Sequence, residues 1–229
     1  VPDVALLWIN QSLKIRNFNN FMSKVFIYLK SRPIKSEGNH KFNKHYLYQT
    51  KLIDRVNDLK QLDCYKKINA ILENSFEGKN LEKIVEKFLI LFKLHTGKSK
   101  LNKAALSHGD LCFSNILYHQ ETNFLKFIDP RGGVVVEDLY LDEYYDLAKL
   151  SHSILGDYDF ILGDRCSLEF GDNLTVRLNN PGFEINQEQK KIFISMLKAN
   201  GYDYTLVRLY EASLFISMLP LHSNDLNRI

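Results

Sequence analysis

From Ile15 to Leu29 the apolar side chains fall at helical intervals: Ile15, Phe18, Phe21, Met22, Val25, Phe26 and Leu29, with Pro33 marking the end. That spacing lays one apolar stripe along a helix, and such a stripe has to be covered by other elements. The pattern restarts at Tyr46 with Leu52, Ile53, Val56 and Leu59, continues through Tyr65, Ile68, Ile71 and Leu72 as a separate short helix, and breaks at Gly78. Asn80 then stands where an N-cap belongs, since its side chain can accept from an orphan helix amide. The helix it opens carries Leu81, Ile84, Val85, Phe88, Leu91 and Phe92, and Gly97 stops it. The polar segment 34–43 reads as a loop. A chain that spends its first hundred residues this way is not an all-β protein.

The character changes beyond residue 103. Ala104 to Leu106 is a short apolar run. Asn115 to Tyr118 and Phe124 to Ile128 are strand-like, and the polar HQETN between them predicts a β-hairpin. Asp129-Pro130-Arg131-Gly132-Gly133 is a loop, Tyr145 to Leu155 is helical, and Leu168 to Leu178 around Gly171 predicts a second hairpin. Asn186 to Asn200 and Leu206 to Leu219 are two closing helices. The class expected is therefore α+β and mostly helical, as one unit over 1–229 without internal repeats or an interdomain linker.

Composition excludes several function classes. With 45% hydrophobic and 25% charged residues the 229-residue chain is neither disordered nor fibrous. Lys and Arg number 30 against 27 acids, a net charge of +3, too balanced for a dedicated nucleic-acid binder. No apolar stretch approaches the ~20 residues of a membrane span. The opening VPDVALLWINQSLK lacks a basic n-region and a small-residue cleavage site, so no signal peptide is read; without an initiating Met, the chain is read as beginning inside a longer product. Cys64, Cys112 and Cys166 are odd in number and widely spaced, which fits reduced thiols and a cytoplasmic location.

The chemistry-bearing residues cluster in Ser107-His108-Gly109-Asp110-Leu111-Cys112-Phe113-Ser114-Asn115 and Phe127-Ile128-Asp129-Pro130-Arg131-Gly132. An Asp and an Asn five residues on sit in a loop, and a hairpin returns the chain to a second Asp at a strand end. Three oxygen-bearing side chains can then surround one point. Mg²⁺ takes few protein oxygens and leaves positions for phosphate and water, while a carboxylate off the metal can orient an attacking hydroxyl. Cys112 is read as a spacer, and His152 and His222 as packing or surface residues. Gly97-Lys98-Ser99 is not the end of a P-loop, because Phe92 stands where the first Gly would be.

The pair HGDLCFSN…FIDPRG resembles the motifs of the aminoglycoside phosphotransferase and choline kinase superfamily, small-molecule kinases with a protein-kinase-like fold. H-x-D-x-x-x-x-N is matched without a gap, as is the downstream I-D-x-x-G, and Tyr145-Asp146-Leu147-Ala148 is similar to the family's Asp-Leu-Ala. FIDPRG, YDLAKLSHSI and SLFISMLPLH look most like phosphotransferase-family proteins of bacterial capsule and surface-polysaccharide loci. The resemblance implies ATP and Mg²⁺, and a small hydroxylated acceptor of the sugar or polyol type. It implies Asp110 as the hydroxyl-orienting base, Asn115 and Asp129 as metal ligands, His108 as a brace of the catalytic loop and Asp146 as its support from below. Arg131 meets a phosphate in this scheme, or pairs with Glu137 or Asp138.

The resemblance covers residues 107–150. The helical segment before His108 has neither the alternating strands nor the glycine-rich loop of a nucleotide-binding lobe. The expected architecture is the C-terminal lobe of the kinase-like fold, with short hairpins at the catalytic site and the nucleotide lobe absent from this chain. Two function classes follow: a phosphotransferase, or a non-catalytic kinase-like binding module.

Overall fold

The computed structural model describes residues 1–36, 44–75, 79–97, 103–172 and 176–223. Asp3 caps α1 (Val4–Ile9) by accepting from the Leu6 amide at 2.8 Å. This six-residue helix is too short to show a period and went unread in the sequence. The striped segment forms α2 (Ile15–Ser31), and Arg32 turns extended ahead of Pro33, as a residue before proline must. Next comes β1 (Ile34–Ser36), which corrects the expectation of a loop from residue 34; the rest of that segment, 37–43, lies outside the described residues. A π-helical turn at 46–50 leads into α3 (Lys51–Lys60), followed by α4 (Cys64–Ser75) and α5 (Leu81–Thr96). Asn80 caps α5 by accepting from Lys83 N at 3.1 Å, and Gly97 ends it; Gly78 lies outside the described residues.

The apolar run at Ala104 is β2 (Lys103–Leu106). The expected hairpin is β3 (Ile116–His119) and β4 (Phe124–Phe127), paired Ile116 to Phe127 and His119 to Phe124. Asn115 belongs to the 3₁₀ turn before β3, not to the strand. Beyond the loop come β5 (Tyr140–Asp142), α6 (Tyr145–Ile154) and α7 (Tyr158–Leu162). The second hairpin is β6 (Ser167–Phe170) with β7 (Val176–Asn179), and α8 (Gln187–Ala199) and α9 (Tyr204–Met218) close the chain. The class is thus α+β and mostly helical, with small antiparallel sheets. No described helix is long and apolar enough to cross a membrane.

The helices divide the interior into two cores, and α6 separates them. Leu147, Leu150 and Ile154 of α6 join Trp8, Phe18, Phe21 and Phe113 on one side. Tyr145 and Ala148 join Leu52, Leu59, Phe92 and Tyr210 on the other. Each large apolar side chain so covered contributes roughly 1.5–3 kcal/mol. Trp8 meets Phe113 edge-on, with centroids 5.4 Å apart and planes at 76°, the arrangement their quadrupoles favour. Nearly every residue of α6 is buried, so Asp146 in its first turn lies in the middle of the molecule.

The sheet β1–β2–β5 is antiparallel with β2 in the centre, Ala105 facing Ile34 on one side and Leu141 on the other. Its central strand runs directly into His108. The loop that carries His108 and Asp110 therefore leaves the central strand of this sheet and ends at the β3–β4 hairpin.

Candidate active site

Asp146 forms the floor of the site. Its Oδ2 accepts from Arg32 Nη1 at 2.8 Å and from His108 N at 3.0 Å, and its Oδ1 accepts from Gly109 N at 2.8 Å. Arg32 also donates to the carbonyls of Leu29 and Glu143, both at 3.0 Å. A buried guanidinium is costly unless its fork is filled, and here it is filled by α2, by the start of α6 and by the carboxylate itself. Two consecutive loop amides are thereby pinned to a buried helix.

Gly109 has φ +78°, and a Cβ there would lie 2.6 Å from Arg131 Cβ. Both the left-handed backbone and the close approach require glycine. The Arg131 amide donates to the His108 carbonyl at 2.7 Å, which draws the loop after β4 over the loop before β3. The Ile128 carbonyl can only accept and the Asp110 amide can only donate. A His108 tautomer with its proton on Nε2 satisfies both, at 2.9 and 3.3 Å. Both ring nitrogens are thus engaged, and His108 braces the two loops rather than transferring a proton.

Asp110 is set by three contacts. Asn115 Nδ2 donates to its carbonyl at 2.9 Å and to its Oδ2 at 3.0 Å, and Lys149 Nζ pairs with its Oδ1 at 2.9 Å. Its side chain remains 43% exposed while that of Lys149 is only 16% exposed, so the carboxylate can still be reached from outside. The Ile128 amide donates to the Asn115 carbonyl at 3.0 Å, bringing Asp129 within one residue of Asn115 across the hairpin base. Asp129 is exposed and holds a left-handed φ of 51°. An aspartate tolerates that conformation better than most residues, but it still costs energy.

Among the described residues no group of three His, Cys, Asp or Glu could hold a metal. The donor set that does exist fits Mg²⁺ in kind. With Nδ2 of Asn115 committed to Asp110, its amide oxygen is the atom that would be left to hold such an ion, and the Asp129 carboxylate, one residue beyond the paired backbone, would be the second. Two protein oxygens with the rest from phosphate and water is the habit of that ion.

The six residues singled out in the sequence, His108, Asp110, Asn115, Asp129, Arg131 and Asp146, therefore converge on the mouth and floor of one loop pair. Asp138 accepts from the Val134 and Val135 amides at 3.0 and 3.4 Å, so its carboxylate organises that loop. Sequence reasoning missed Arg32, Lys149 and Lys51. Lys149 lies three residues after Asp146, one helical turn along, and that spacing was a usable signal. Burial opposes its charge, but Tyr145 and the Asp110 carboxylate outweigh burial and raise its pKa. For Lys51, burial lowers the ammonium to about 8, with Lys149, Arg131 and Arg55 acting in the same direction against Asp110. Burial and then Asp110 push the Cys112 thiol up. The three cysteines form no disulfide. Buried His152 packs between Tyr158 and Phe215, with centroids 4.0 and 4.2 Å away.

A groove of about 890 Å³ along α3 and α5 is lined by Val56, Leu89 and Phe92, and none of its lining residues belongs to the loop from Ser107 to Asn115. Neither a scan against protein-family models nor a search of curated proteins finds a match to this chain.

Proposed function

We propose that this chain is the catalytic lobe of an ATP-dependent phosphotransferase with a protein-kinase-like fold, transferring the γ-phosphate to a hydroxyl of a small molecule. A sugar or polyol used in surface-polysaccharide synthesis is the acceptor class that the motif resemblance favours. The observation that carries the reading is the single arrangement in which Asp110 is reachable, Asn115 and Asp129 stand together across the hairpin base, and buried Asp146 holds the loop between them. Unrelated turn residues have no reason to share such a frame.

In this reading Asp110 receives the acceptor hydroxyl, aligns it and takes its proton as the hydroxyl oxygen bonds to the γ-phosphorus, while the bond from that phosphorus to the β–γ bridging oxygen breaks and ADP leaves. Asn115 orients Asp110 through Nδ2 and holds the metal with its amide oxygen, alongside Asp129. Mg²⁺, when bound, supplies neutralising charge to the transferring phosphoryl group. His108 and Asp146 keep the loop from relaxing, which matters because transfer by positioning loses rate steeply with small displacements.

A second reading, a non-catalytic kinase-like binding module, is favoured by one observation. Before Lys103 the described residues contribute helices and a single three-residue strand, so they offer no sheet to cover a nucleotide. Thermal melting with ATP and Mg²⁺ separates the two. The phosphotransferase reading expects a rise in Tm that needs the metal and shrinks in Asp129→Ala. No shift with any nucleotide favours the module.

A further inference from the structure

Lys44 is buried without compensation. It is 5% exposed, yet among the described residues it makes neither a hydrogen bond nor an ion pair. A lysine is almost never covered so deeply unless it is paired, because an isolated ammonium gives up its water and gains nothing. Arg32, also 5% exposed, shows the usual solution, with Asp146 and two carbonyls filling its fork. The acid that feels Lys44 is Asp142, where Lys44 is the smallest of the named influences. The Asp142 Oδ1 is already taken by the Tyr48 hydroxyl and the Tyr144 amide.

Lys44 lines the groove of about 890 Å³ along α3 and α5. Buried Val56 and Phe92 and half-buried Val85 and Leu89 make this groove apolar. Two acids also line it. Glu82 is committed, lying 3.6 Å from Lys60 and accepting from the Tyr65 hydroxyl, and Glu86 is exposed on α5. Neither pairs with Lys44. Sites for small molecules have volumes of roughly 300–1,000 Å³ and are mostly apolar, with a few polar groups that fix orientation. An uncompensated cation in such a wall selects an anion, because the charge-assisted bond it forms there is little weakened by water.

We propose that the α3–α5 groove binds a small organic anion with an apolar body, its carboxylate or phosphate on Lys44 and its body over Val85, Leu89 and Phe92. None of these residues belongs to the loop from Ser107 to Asn115, so the inference stands whether or not the chain transfers phosphate. It also explains why a lysine that costs stability in the empty protein occupies this place: the ligand supplies the partner that the fold does not.

Calorimetric titration of the full chain with octanoate, octyl phosphate, octanol and acetate tests this. One or both of the octyl anions bind, and the tighter of the two tells carboxylate from phosphate. Octanol binds more weakly and acetate does not bind. Lys44→Met keeps the length of the stem and removes the charge. It weakens the octyl anions by roughly tenfold or more, leaves octanol unchanged, and melts higher than the wild type when empty. Should that variant fail to fold, carbon NMR of the Lys44 side chain in the wild type carries the test: the octyl anions shift its Cε signal and octanol does not. Equal anion affinity in Lys44→Met, octanol binding as tightly as the anions, or an unmoved Cε signal overturns the inference. So does a lower melting temperature in the variant, which would show that the fold already partners Lys44. Absence of binding by both anions overturns it too, and a dimer in sedimentation would then assign the groove to a second copy.

Discussion

Asp142 and Asp146 lie four residues apart, flanking the start of α6, and both are buried. They are supplied very differently. Asp146 has a guanidinium and two consecutive backbone amides around its two oxygens. Asp142 accepts from the Tyr48 hydroxyl at 3.1 Å and the Tyr144 amide at 3.0 Å, both on Oδ1, and the Lys44 charge acts on it more weakly. Burial dominates there and raises its carboxyl to about 7. The first carboxylate is built as a paired charge that fixes a loop, and the second as a polar packing element that titrates near neutrality. What separates the two is the partners the fold brings them, since residue type and depth are nearly the same.

The contrast is broken most forcefully at Asp146. Asp146→Ala leaves Arg32 buried without its carboxylate and frees the His108 and Gly109 amides. Losing one partner of a buried pair costs about 3–5 kcal/mol. Urea unfolding should show a loss of that size, and a loss below about 1 kcal/mol would mean that Asp146 is not the keystone of the loop.

Asp142→Asn should act in the opposite direction and depend on pH. The folded pKa of Asp142 is about 7 against an ordinary value of 3.8. Between those values the folded protein keeps a proton that the unfolded chain has released. Stability therefore falls as pH rises from about 4 to 7, and the cost is complete above that range. Asparagine keeps the Oδ1 acceptor without the charge. The variant should gain on the order of 3 kcal/mol at pH 8 and less than half of that at pH 5. Equal effects at both pH values in denaturant titrations would show that Asp142 does not carry the penalty.

Long elements were legible in the sequence because their signals are local. The stripe from Phe18 to Leu29 gave α2, and Asn80 gave the start of α5 through a single side chain-to-amide bond. The hairpin β3–β4 was visible from its two apolar runs and polar turn. By contrast, β1 is three residues long and exists because it pairs with Ala104 and Ala105, some seventy positions away. Nothing local marks Ile34, and β5 was hidden for the same reason.

The site divides along the same line. Asp110, Asn115 and Asp129 could be picked out because they fall in two short motifs joined by a local hairpin, and the structure brings these segments together through the Asn115 to Asp110 and Ile128 to Asn115 hydrogen bonds. Arg32 could not, because its role depends on the end of α2 reaching the start of α6. Lys51 was invisible too: a lysine opening an amphipathic helix reads as solvated, and only packing partly buries it.

The central claim is that Asp110 is the base of a phosphoryl transfer, and ATP turnover with Mg²⁺ in the wild type and in Asp110→Ala tests it most directly. Asp110→Ala leaves the Asp146 network in place but takes the partner from Lys149, so melting curves of both proteins set a temperature at which each is folded, and turnover is compared there. The expected result is metal-dependent turnover in the wild type and a fall of about 10²–10⁴-fold in the variant. Turnover undiminished in Asp110→Ala, or absent from the wild type, would contradict it.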